Sequence, residues 1–147
     1  MTRTTTRVFV ARLAGTQVFD PIGDRVGWVR DVVALVTPKG RPRAVGLVVE
    51  VPGKRRVFLP FTRVTSIEAG QVLTTGLVNM RRFAQRPAET AVLGELVDRR
   101  VHLHDGDSVT IEDVAMEPNV RGDWEITQLF VRFDAPAARP LQLRRRG

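Results

Sequence analysis

For most of its length the chain alternates apolar and polar positions with a period of two, the pattern of strands that bury one face. Val8-Phe9-Val10 opens a short strand, and Leu13 to Gly15 turns into a second at Val18-Phe19. Pro21, Gly23 and Asp24 then supply a turn, Gly23 taking the positive φ of a tight reversal. The strand that follows, to about Val36, changes phase: Val26 and Trp28 share one face, Val29 and Val33 the other. A strand flips faces by taking an extra residue, and a bulge is expected at Gly27. Thr37 to Pro42 reads as a loop, Ala44 to Val51 as a buried strand, and Pro52-Gly53 as a hairpin turn into Arg55 to Phe61. Val64 to Ile67 and Gln71 to Thr75 form a further hairpin. Leu77, Met80, Phe83 and Ala84 fall at helical spacing and Pro87 ends the run, which predicts one short helix.

The strand pattern then repeats. Ala91-Val92-Leu93 corresponds to Val8-Phe9-Val10, Val101 to Val18, and Leu129-Phe130-Val131 to Leu47-Val48-Val49. Leu141-Gln142-Leu143 corresponds to Val57-Phe58-Leu59. Gly106 and Asp107 take the places of Gly23 and Asp24 at an offset of 83, whereas Asp113 follows Asp31 at 82. The second copy is one residue shorter inside the interval where the bulge is expected, with Thr110 near the position of Gly27. The expectation is a mainly β protein of two small tandem β-barrels joined by a short helix. Its parts are a module over 8–75, a helical linker over 76–90 and a degenerate second module over 91–144. No counterpart of Phe61 to Thr75 is legible, so the second module is expected to borrow strands or to continue past Gly147.

A chain of 147 residues with 43% hydrophobic content can bury a core, and this excludes general disorder. It has no cysteine and no apolar run long enough to cross a bilayer, so cytoplasm and no membrane insertion are expected. The formal charge of +7 suggests nucleic acid until its distribution is read. Six arginines lie in the end segments; the body is near neutral but polarised. Residues 8–87 carry 13 basic and 5 acidic side chains, and residues 88–138 carry 4 and 11. Opposite signs in adjacent modules favour docking of one on the other, or self-association.

Gly23-Asp24, Val26-Gly27, Val29 and Asp31-Val32, then Gly46-Leu47-Val48-Val49 and a hairpin ending Leu59-Pro60-Phe61, together resemble the PRC-barrel family. That family takes its name from the photosynthetic reaction-centre H subunit, and the ribosome-maturation factor RimM carries a similar barrel. Two such barrels with the linker Gly76 to Phe83 are also similar to the front of actinobacterial proteins that carry a magnesium-transporter-type (MgtE) domain and paired CBS domains. The resemblance implies a non-enzymatic regulatory or adaptor module associated with magnesium transport. A RimM-like RNA- or ribosome-associated binder and a Mg2+ sensor are the alternatives.

The residues add little catalytic chemistry. There is no cysteine, Lys39 and Lys54 sit in turns, and the glycines mark strand turns and bulges rather than phosphate-cradling loops. No catalytic residue and no cofactor are expected, Mg2+ being the one ion worth weighing. His102 and His104 would share a face if both lay on one strand, and Asp105, Asp107, Glu112, Asp113 and Glu117 offer oxygen ligands for Mg2+. A solvated acidic face is the plainer reading of the same residues. Arg41, Arg43, Arg55 and Arg56, near Trp28, form the densest basic group and the candidate partner surface; Arg81, Arg82 and Arg86 form a second. Trp28 and Trp124 are expected in the core or at the interface between modules. With the body near neutral and no Tyr, nucleic acid is disfavoured as partner relative to protein.

Overall fold

The computed structural model describes residues 7–77 and 80–134. The chain forms β1 (Val8–Phe9), a one-turn helix α1 (Val10–Leu13), β2 (Gln17–Phe19), β3 (Arg25–Leu35), β4 (Arg43–Val51) and β5 (Arg55–Pro60). A 3-10 turn (Phe61–Arg63) leads to β6 (Val64–Glu68) and β7 (Gln71–Thr74). After the linker come β8 (Glu89–Ala91), a π turn (Val92–Leu96), β9 (Arg100–His102), β10 (Ser108–Pro118) and β11 (Trp124–Phe133). The mainly β expectation holds. The eleven strands, however, belong to one sheet, curved until it nearly closes, in the order β1-β10-β11-β4-β3-β2-β7-β6, with β5, β8 and β9 attached to β4, β3 and β10.

The two halves join by exchanging their first strands. β1 pairs with β10 of the second half, Val8 opposite Met116, and β8 pairs with β3 of the first half, Ala91 opposite Val33. The same exchange is made by side chains. Asp31 Oδ1 accepts the backbone N–H groups of Val32 (2.7 Å) and Leu93 (2.7 Å), and Oδ2 accepts that of Gly94 (3.0 Å) at the π turn. Asp113 Oδ1 accepts those of Val114 (2.7 Å) and Ala11 (2.9 Å) at α1. Each long strand therefore satisfies the orphan donors of the other half's helical turn. Between them β4 meets β11 at Trp124 opposite Ala44, with Ile126 N–H donating to Pro42 O at 2.9 Å. Trp124 stacks on Phe61, ring centroids 5.6 Å apart, so this tryptophan does lie between the halves. One apolar cluster runs through both, from Val10, Val29, Leu47 and Leu59 to Val92, Val114 and Met116, all fully buried or nearly so.

The phase change in β3 is real but differently placed. Against β4 the extra residue is Arg30, between the pairs Val29–Val49 and Asp31–Val48, so burial passes from Val29 to Val32. Against β2 it is Val26, between Gly27–Val18 and Arg25–Phe19. In β10 Glu112 repeats the bulge of Arg30, but no residue repeats Val26, because Ser108, Val109 and Thr110 face β9 without a break. Val26 is thus the residue by which the second half is shorter, and Val109 rather than Thr110 takes the register of Gly27. Gly27 answers to packing instead: a Cβ there would lie 2.6 Å from Glu50 O and 2.7 Å from Val49 Cγ1.

Among the described residues of the expected helical linker, 76–77 and 80–90, no helix forms. Arg81 to Phe83 runs extended along β5, with Val57 bridged to Arg82, Phe58 N–H donating to Arg81 O (3.2 Å) and Phe83 N–H to Arg56 O (2.8 Å). Leu77 and Met80 still pack against the core, and Phe83 stacks on Phe58 at 6.4 Å. The apolar spacing reflects these docking points, while an open edge on β5 supplies hydrogen-bond partners that a lone short helix would lack.

Candidate interaction surfaces

The acidic candidates are dispersed over unrelated structural tasks. Asp113 is the acceptor already described, Glu117 contacts Arg7 (3.3 Å) and Thr127 (2.9 Å), and Glu112 pairs with Arg132 (2.9 Å). Asp105 Oδ1 accepts the N–H of Asp107 (2.9 Å) inside the turn centred on Gly106. The turn also undoes the histidine pair. β9 ends at His102, and Leu103 N–H donates to Asp107 O, so His104 is not on the strand that carries His102. His102 Nδ1 lies 2.9 Å from Ser108 Oγ. Among the described residues no three His, Asp or Glu side chains gather where a metal ion could be held.

The basic candidates are regrouped by the sheet. Arg43 begins β4 and Arg55 faces Val51 at its other end, roughly 25 Å away at strand rise. Arg41 and Arg43 therefore do not share a patch with Arg55 and Arg56; Arg41 instead approaches Glu125 of the second half at 3.9 Å. The extended linker lays Arg81 and Arg82 along β5, the strand that carries Arg55 and Arg56, and Arg86 lines one concave site with Arg81 and Arg82, a grouping hidden from sequence by the expected helix. Trp28 is half-buried opposite Glu50, with the Arg25 guanidinium 4.9 Å above its ring.

Two carboxylates are held below their ordinary value of 4.5. For Glu50 the main cause is its hydrogen bond from Arg30 (Nε to Oε1, 3.1 Å), helped by the charges of Arg30, Arg56 and Lys54 and opposed by desolvation. For Glu95 it is the Ala91 N–H (2.7 Å), then the Gln85 amide (2.7 Å), which tie the π turn to β8. A lowered folded value means stability that is complete above pH 4.5 and lost as pH falls through the folded value. Glu50→Gln and Glu95→Gln are therefore expected to flatten the fall in Tm between about pH 5 and about pH 3, measured by circular dichroism. Parallel wild-type and variant profiles would refute it.

A third surface was not anticipated. Leu129, Val131 and Phe133 of β11 are 50%, 40% and 62% exposed, whereas Leu47 and Val49, the residues that occupy the corresponding positions in β4, are fully buried. Beyond Glu125 no described strand lies on the side of β11 away from β10. The expected strand at Leu141 to Leu143 lies outside the described residues. An apolar groove of about 350 Å³ opens beside this strand, walled by Val36, Leu96, Ile126 and Leu129.

No helix among the described residues is long and apolar enough to cross a membrane. No curated protein matches the chain. Where a second PRC-barrel-like copy was expected, residues 90–147 match a different family model, the Actinomycetes SH3 domain. Residues 6–77 match the PRC-barrel domain, the family that the glycine turn, the long strand and the Leu59-Pro60-Phe61 hairpin end resemble.

Proposed function

We propose that this chain is a non-enzymatic β scaffold that works by protein contact, with the outer face of β11 as its principal docking surface. The exposed row Leu129, Val131 and Phe133 carries this reading, because solvent contact at such residues on a sheet strand is costly unless something covers them. We further propose that the two halves are copies of one unit, tandem PRC-barrel-like modules of which the second is degenerate. The matched pairs Phe9–Ala115 and Ala91–Val33, and the matched acceptors Asp31 and Asp113, support it. On resemblance alone, the scaffold is assigned to the cytosolic adaptor part of an assembly associated with magnesium transport.

Light scattering of the full chain tests the self-association arm of this reading. A mass above one chain is expected at both low and high salt, returning to one chain in Leu129→Ser/Val131→Ser. Identical behaviour of wild type and variant would remove the β11 surface from the proposal. Association that vanishes at high salt would point instead to the opposed charges of the halves.

A further inference from the structure

The edge built from β5 and the extended linker has chemistry that the adaptor reading does not use. Arg55, Arg81, Arg82 and Arg86 are exposed, and none of the four has a carboxylate within ion-pair distance among the described residues; Arg56 alone is engaged, 3.8 Å from Glu50. Beside the linker lies a concave site of about 380 Å³ whose walls include Phe58, Phe83 and the three linker arginines, Arg81, Arg82 and Arg86. The two rings stack on each other at 6.4 Å and 25° and are half-buried, so each is fixed in place yet still reaches the surface. Glu89 also lines the site, but its Oε1 already accepts the Arg86 N–H at 3.0 Å.

We propose that this arginine edge binds single-stranded nucleic acid. Guanidinium groups along an extended backbone match phosphates spaced along a strand, and arginine takes phosphate oxygens two at a time where lysine offers a point charge. The Phe58–Phe83 pair provides an apolar face on which a base can stack. A concave pocket walled by aromatic rings suits a base and its phosphate better than a flat lipid surface does.

The test uses the full chain and a fluorescein-labelled RNA of about 12 uridines, followed by anisotropy at about 50 and about 200 mM salt. Arg81→Gln/Arg82→Gln/Arg86→Gln is expected to weaken binding at least about tenfold and to lower the salt slope by about 2, as loss of three phosphate contacts on a single strand requires. Phe83→Leu is expected to weaken binding several-fold and leave the slope unchanged. Arg144→Gln/Arg145→Gln/Arg146→Gln separates any contribution of the basic end. Circular dichroism melts confirm that each variant is folded. Undiminished binding in the linker triple variant overturns the proposal, as does binding lost only with the end arginines. Equal competition by millimolar inorganic phosphate or free uridine monophosphate would assign the site to a small anion instead. So would capture only of anionic phospholipid vesicles assign it to a membrane, and either result overturns the strand.

Discussion

Asp31→Ala should unfold this protein at markedly lower urea than wild type, with a loss of about 3 kcal/mol. Three backbone donors converge on this one carboxylate: its own strand neighbour Val32 and, across the seam, Leu93 and Gly94. Removing it strands the Leu93 N–H in a part-buried setting and loosens the π turn that carries Val92 into the core. Hydrogen bonds to a charged acceptor contribute about 1.5–3 kcal/mol each, but Gly94 N–H is exposed and water can replace its partner there. Asp113→Ala removes the corresponding contact to Ala11, whose N–H is exposed, and should cost only about 1–2 kcal/mol. Equal effects at the two sites, or less than about 1 kcal/mol at Asp31, would show that the strand exchange is held by packing alone.

Gly46→Ala is the second large effect, again about 3 kcal/mol in urea unfolding. The added methyl would run into the edge of the Phe58 ring and lie 2.7 Å from Leu59 O, which is backbone of the neighbouring strand. β5 must move for it to fit, and the extended linker hydrogen-bonded to β5 must follow. Gly23→Ala is the instructive contrast. A Cβ at Gly23 meets nothing within 4 Å, but the residue sits at φ +91, so the cost is backbone strain of about 1–2 kcal/mol. A Gly46→Ala variant as stable as Gly23→Ala would mean that β5 yields more easily than its pairing with β4 suggests.

What the sequence disclosed follows the range of the forces involved. Alternation in β3, β4 and β5 and the turn at Gly23 are local, and strand and turn stand as expected. Sequence places the bulge at Gly27 because that residue is conspicuous, but Gly27 serves close packing while the insertions are Val26 against β2 and Arg30 against β4. The linker misled for a related reason. Leu77, Met80 and Phe83 have helical spacing, but their partners are Phe58 and the core, which lie elsewhere in the chain. The acidic cluster is dense only along the chain, since Glu112 is the bulge residue and Asp113 follows it, and the two turn to different partners. The arginine edge depends on the bridge from Val57 to Arg82, a pairing that no local pattern announces.

The crossing of β1 and β8 also bears on how such a chain can be inherited. A gene break between the two matched segments would hand each product a long strand with a bare flank, and a carboxylate left with only the N–H of its own strand neighbour. Severing the chain there is therefore expected to weaken both products rather than release one intact unit.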